Sequence, residues 1–252
     1  MIGLLVVSFN DLGLSQRMYP SLVESMTPDT QYGLLCVDGG SSDGSVAFWQ
    51  SKCEVIGEQN RDYLVKSGRQ PQEFNHLSVC LNVGLSDYLE REAEYIVWIH
   101  PDHLFPQVGW LDKLVEYMKR HPEVGKGAAD ELVKKVDTQL INGPTEELTK
   151  VGAVGQERPG NAQLVIWPAW ALAKMKEKYG YLYDERFTGI GGYEDWDFNR
   201  RIIEMGYKVV ITPEARVQHI GMGTRHKTGK LIDEQNNVRQ YHRKWGDTNN
   251  PV

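Results

Sequence analysis

No stretch of the sequence reaches the roughly 18 apolar residues that a membrane-spanning helix needs. The amino end also lacks the basic and apolar sections of a secretory leader, so a cytosolic chain is expected. Cysteine is scarce. Cys36, Cys53 and Cys80 are odd in number and form no Cys-x-x-Cys pair, which argues against both a disulfide framework and a cysteine zinc site and leaves three reduced core thiols. Internal repeats and low-complexity tracts are lacking too. What is there is 252 residues, 40% of them hydrophobic, enough to bury one substantial α/β core in a single domain spanning 1–252.

Charge is unevenly spread. The net charge of −6 disfavours a surface that binds nucleic acid all over. From Arg216 onward, however, seven Lys or Arg (Arg216, Arg225, Lys227, Lys230, Arg239, Arg243, Lys244) face three acids, against 21 basic and 31 acidic residues before it. An anion would go to the carboxyl end, whose bland alternative is a solvated, partly frayed tail.

"IGLLVVSFN" (Ile2 to Asn10) is a short apolar run closed by a polar turn, as in a buried parallel strand. "YGLLCVDGGSSDGSVAFWQS" reads as strand, loop and helix, with Ser41 or Ser42 placed to cap the helix. "CEVIGEQN" and "EYIVWIH" read as further strands, "HLSVCLNVGLSDYLERE" and "GWLDKLVEYMKRH" as helices. Residues 130–160 are polar and weakly periodic, the mark of a functional loop excursion. "AQLVIWPAW" looks like a strand entering a helix that Pro168 starts, and "YEDWDFNRRIIEMGYKVVITPEARVQHIG" like helix, Gly stop and strand. Alternating strands and helices predict a Rossmann-like, mostly parallel central sheet flanked by helices.

In open α/β sheets ligands bind beyond the carboxyl ends of the strands. Four polar groups lie at such places: Asn10 and Asp11, Asp38, Asp102, and the cluster Tyr193, Glu194, Asp195 and Asp197. Asp38 before Gly-Gly is also ordinary turn chemistry, and acids at a helix start are favoured by its dipole. In "VWIHPDH" a His-x-x-His zinc site is set aside, because Pro101 interrupts any helix that would stack the imidazoles and no cysteine completes a tetrahedral shell. Asp102 is favoured instead, with His100 and His103 behind it.

Three segments in order resemble one family. "VVSFN" with "LLCVDGGSSDGS", then "HPDHLFPQVGWLDKLVEYMKRHPEVG", then "YDERFTGIGGYEDWDFNRRIIEMGYKVVITPEARVQHIG" are similar to the opening strand and Val-Asp-x-Gly-Ser-x-Asp-Gly turn, the Asp-x-Asp or Asn-Pro-Asp segment, and the Glu-Asp segment of family 2 glycosyltransferases. The resemblance runs from Leu4 to about Gly223 and implies the GT-A (nucleotide-diphosphosugar transferase) fold. It also implies a donor-binding half at 1–105, an acceptor and catalytic half at 106–220, and a basic tail at 221–252 as a candidate lid.

It implies residue roles as well. Asp38 would hold the donor's base or ribose, with Ser8, Asn10 and Asp11 in the same pocket, and Asp102 and His219 would hold a divalent metal, Mn²⁺ or Mg²⁺, on the sugar diphosphate. Asp195 would be the general base and Glu194 would orient its neighbours or the sugar, while Asp197 caps or braces the helix. Asn161, Gln163, Trp167 and Tyr193 would meet the acceptor; Arg225 and Lys227, with His226 and Lys230, would close over the diphosphate.

Two departures are notable. His100 stands where relatives have an acid or Asn, and "VIWPAW" replaces a usually basic segment. The implied enzyme is a soluble, metal-dependent, inverting transferase that moves one sugar to an acceptor hydroxyl on a glycan, glycolipid, protein or hydroxylated DNA base. A nucleotidyltransferase that builds sugar nucleotides would want a Gly-rich, Lys-containing phosphate loop near the amino end, and none is present. A degenerate protein that only binds a nucleotide sugar or glycan is disfavoured by the retention of Asp38, Asp102, Asp195 and His219.

Overall fold

The computed structural model describes residues 1–57, 59, 64, 67–133, 158–159, 164–189, 191–220 and 234–246. In chain order these form β1 (Ile2–Ser8), α1 (Leu12–Ser25), β2 (Tyr32–Asp38), α2 (Ser45–Gln50), β3 (Glu54–Gly57), a 3₁₀ turn (Pro71–Asn75), α3 (Leu77–Glu90), β4 (Tyr95–Ile99) and β5 (His103–Leu104). Then come α4 (Trp110–Arg120), β6 (Val124–Val133), β7 (Arg158–Pro159), β8 (Val165–Pro168), α5 (Ala169–Tyr179), α6 (Glu194–Glu204), β9 (Lys208–His219) and α7 (Glu234–Trp245).

One sheet orders the described strands β3-β2-β1-β4-β8-β6-β9-β5, with β7 also on β9. The parallel expectation holds for β3-β2-β1-β4 and for β6 on β9. Strands β8, β5 and β7 run antiparallel to their neighbours, so the second half of the sheet is mixed. This matters for the site, because antiparallel β5 and β9 pair His103 directly with His219.

Strand alternation sends β1 side chains to two cores. Leu4 and Val6 pack with Met18, Trp49 and Trp110 on one face, and Leu5 packs with α3 and with Trp167 and Phe198 on the other. Helix α3 lies tight on β1: a Cβ at Gly84 would come within 2.3 Å of the Leu5 side chain. Pro168 does precede α5, which ends at Gly180 in the left-handed conformation glycine favours.

Two local expectations change. Neither Ser41 nor Ser42 caps α2, because the Ser41 hydroxyl is drawn to Asp38 at 2.7 Å; Asp43 Oδ1 instead accepts from the Ser45 N–H at 3.0 Å and the Ser45 hydroxyl at 2.6 Å. Nor is the carboxyl end simply a solvated tail. Helix α7 is docked through Tyr241 and Asn237, both buried, and Asn237 exchanges hydrogen bonds with the Thr188 N–H and C=O at 3.0 Å each.

Candidate active site

At the ends of β1 and β2 the polar turns are stitched together. Asn10, in the left-handed region that Asn tolerates (φ 49°), accepts from the Ser42 N–H at 2.8 Å and donates its own N–H to Ser41 Oγ at 2.8 Å. Asp11 accepts from the Ser8 and Ser15 hydroxyls at 2.9 and 2.8 Å and from the Phe9 N–H at 3.1 Å. Asp38 accepts from the Gly40 and Ser41 N–H groups at 2.9 and 2.8 Å and from the Ser41 hydroxyl. Ser8, Asp11 and Asp38 are buried, and burial raises both carboxyls above their usual range. Asp38 thus makes the turn hydrogen bonds its sequence suggests, and the three buried residues brace this platform while Asn10 is partly exposed.

At the same carboxyl edge of the sheet, the His100–His103 turn that follows β4, the parallel neighbour of β1, delivers Asp102. The N–H of His103 bonds to the His100 carbonyl and the N–H of His100 to His103 Nδ1, both at 3.1 Å. Strand β9 arrives antiparallel and sets His219 Nε2 3.2 Å from Asp102 Oδ2. On the far side of the ring, Glu131 Oε2 of β6 lies 3.4 Å from His219 Nδ1. Burial pulls the His219 imidazole down, but its hydrogen bonds to Asp102 and Glu131 outweigh that and push it up to about 10. Burial raises Asp102, yet the His219 bond and the neighbouring imidazoles hold it well below the usual carboxylate range. Burial, reinforced by His100 and His219, lowers His103 to about 3 and keeps it neutral.

Asp102, His103 and His219 can bring one donor atom each within 4.8 Å of one another. The set fits a divalent cation that accepts both oxygen and nitrogen, with Glu131 orienting the His219 ring from behind. Because Nδ1 of His103 already accepts a backbone N–H, its proton sits on Nε2, a buried atom with no hydrogen-bond partner among the described residues. His103 thus lines the pair rather than ligating as it stands. The place behind Asp102 expected for His103 is the one it takes, opposite its register partner His219.

The acidic cluster opens α6. Tyr193 precedes it in the left-handed region (φ 69°), and Gly191 and Gly192 also have positive φ. The buried Glu194 turns back to accept from the Gly192 N–H, and Asp195, half-buried, accepts from the Trp196 N–H at 2.8 Å. Asp197 is the helix brace expected of it: wholly buried, it meets Arg201 at 2.9 Å, Lys244 at 2.5 Å and the Trp245 indole N–H at 2.9 Å. Under the same helix lies Lys126 of β6, a buried cation whose Nζ donates to Asn199 Oδ1 at 2.8 Å. Sequence reasoning passed over it; a lysine between two glycines in an otherwise apolar strand, "VGKGAA", was the available signal.

Trp167 is a correction. Its ring is fully buried, packed against Phe198 and Tyr183, so it belongs to the core and offers no surface to an acceptor. Tyr193 is half-buried and stacks toward Trp196 and Tyr241. Asn161, Gln163, Arg225 and Lys227, with His226 and Lys230, lie outside the described residues. No described helix is long and apolar enough to cross a membrane.

Neither a family sequence model nor a curated protein sequence matches the chain. Solved structures do. A crystal structure of S. aureus TarS residues 1–349 matches with TM-score 0.58 at 13% identity, covering 98% of this chain and 73% of that one. GalNAc-T7 with UDP, GalNAc and Mn²⁺ matches with TM-score 0.64 at 13% identity, covering 98% and 48%. The mannosyltransferase PcManGT from Pyrobaculum calidifontis, in complex with GDP-Man and Mn²⁺, matches with TM-score 0.58 at 18% identity, covering 99% and 65%. The chain therefore spans about half to three quarters of the length of these structures. At such identities the likeness establishes a shared fold, that of GT-A glycosyltransferases.

Proposed function

We propose that this protein is a metal-dependent glycosyltransferase that moves one sugar from a nucleotide-diphosphate sugar to an acceptor hydroxyl with inversion. The observation that carries the reading is the Asp102–His219 pair, 117 residues apart in sequence and 3.2 Å apart in space, on a fold shared with nucleotide-sugar enzymes. Sugar transfer needs neutralisation of a departing diphosphate and removal of a proton from the attacking hydroxyl. Asp102 and His219 would hold Mn²⁺ or Mg²⁺, which supplies charge stabilisation to the diphosphate. Glu131 keeps the His219 ring turned toward Asp102. Asp195, half-buried at the start of α6, would take the hydroxyl proton from the face of the sugar opposite the diphosphate, and Glu194 fixes the preceding Gly192 turn. Asn10 would meet the nucleotide on a platform braced by Ser8, Asp11 and Asp38. Residues 1–105 would then serve the donor and 106–220 the acceptor and the chemistry, with Tyr193 at the acceptor edge.

The GalNAc-T7, TarS and PcManGT structures contain UDP, UDP-GlcNAc or GDP-Man, which favours a uridine or guanosine diphosphate sugar as donor. A thermal-shift screen of these nucleotide sugars with Mn²⁺, followed by donor turnover with and without the ion, tests the reading. A stabilising donor that turns over only with the ion supports it; stabilisation with no turnover under any condition would leave a binding protein and sink the enzyme.

A further inference from the structure

The first turn of α6 carries three acids, and the protein answers their charge from two sides. Asp197 is met by Arg201 and Lys244. Glu194 and Asp195 act electrostatically on a different cation. Lys126 is 1% exposed, and its ammonium bonds to Asn199, one helical turn beyond Asp195 on the same face of α6. The Phe198 ring lies 5.8 Å from it. Among the described residues, the charged groups acting on Lys126 include Asp195 first and Glu194 second, both from α6. On the strands beside it, its register partner in β9 is Val209, and the adjacent pairing in β8 is Ile166, both apolar.

A methionine of similar length would fill this position without desolvating a charge. Burial pulls the lysine down to about 8, while the two carboxylates resist that fall, so the group is an ammonium at neutral pH. We propose that Lys126 is a positioning residue for sugar transfer, a buried counter-charge beneath α6 that holds the Asp195 and Glu194 carboxylates together at the helix start. It touches no reacting atom. The proposal rests on Asp195 being the base.

The test uses Lys126→Met and Lys126→Gln in the full chain with Mn²⁺. Turnover of UDP-GlcNAc, UDP-GalNAc and GDP-mannose, with water as acceptor, is measured from pH 5 to 9 alongside the donor-induced Tm shift. Loss of the counter-charge should move the acid limb of the rate profile upward by about one pH unit or more, so that the rate at a fixed pH on that limb falls about tenfold and recovers as pH rises, with the donor-induced Tm shift unchanged. A limb that stays in place, or a loss uniform across pH, overturns the proposal. If neither variant folds, Asn199→Ala, which keeps the lysine but removes its hydrogen-bond acceptor, must displace the limb in the same direction, and no displacement overturns it. Asp195→Asn separates the two levels of inference. Retained turnover in that variant, or no turnover of any of the three donors by the unaltered chain, overturns both; abolished turnover with an unmoved limb in the lysine variants overturns only this one.

Discussion

Asp102 and Asp197 are both nearly sealed from solvent, at 8% and 0% exposure, and both sit against positive groups, yet they are built for different ends. The partners of Asp197 are permanent cations, Arg201 one turn along its own helix and Lys244 from α7, joined by the Trp245 indole N–H. The partner of Asp102 is an imidazole, whose proton a metal can replace. A carboxylate locked between fixed charges holds helices together, whereas one paired with an exchangeable proton can release its partner to a ligand.

The contrast can be broken in four ways. The largest effect should come from Asp195→Asn, which lowers transfer by about 10²–10⁴-fold while donor affinity, read as a Tm shift, stays nearly unchanged; lost donor binding would show that Asp195 is not the base. Next, Arg201→Met should cost about 3–5 kcal/mol in denaturant unfolding, because it leaves buried Asp197 with only Lys244 and the Trp245 indole N–H and frees the Tyr181 and Leu182 carbonyls. A loss below 1 kcal/mol would mean that α7 alone satisfies Asp197.

Third, the pH dependence of stability should single out Lys126. Its folded-state value of about 8 lies below the ordinary 10.5, so between those limits the unfolded chain binds more protons and this lysine's contribution to stability rises with pH. The stability difference between the unaltered chain and Lys126→Met should therefore grow in favour of the former, by on the order of 3 kcal/mol, from pH 7.5 to 10.5. A flat difference in parallel urea titrations would contradict it. The smallest effect on the fold should be that of Asp102→Asn, about 2 kcal/mol in the absence of metal, since Asn keeps an acceptor for His219 but not the charge, accompanied by loss of the Mn²⁺-induced rise in Tm. An unchanged Mn²⁺ response would remove Asp102 from the metal site.

Much of this comparison was readable in advance. The apolar runs ending at Ser8, Asp38 and Ile99 are short-period signals, and each is a strand whose polar follower lies where an α/β sheet places ligands. The start of α6 at Glu194 and the bracing role of Asp197 were legible too, since acids at a helix start and an i, i+4 pair are local chemistry. Trp167 was misjudged for the converse reason. In "VIWPAW" every residue of the strand is buried, and alternation gives no outward face to a strand covered on both sides.

By itself the sequence determined the elements, their order and the acids at their ends, because periodicity and turn chemistry act over a few residues. Only the tertiary structure decided which of those groups meet. The antiparallel return of β9 onto β5 brings His219 to Asp102 and His103, and the seating of α6 on β6 buries Lys126 beside Asn199, 73 residues away. Such encounters are set by strand order and register, which depend on the packing of both sheet faces at once and leave no mark in any local stretch of residues.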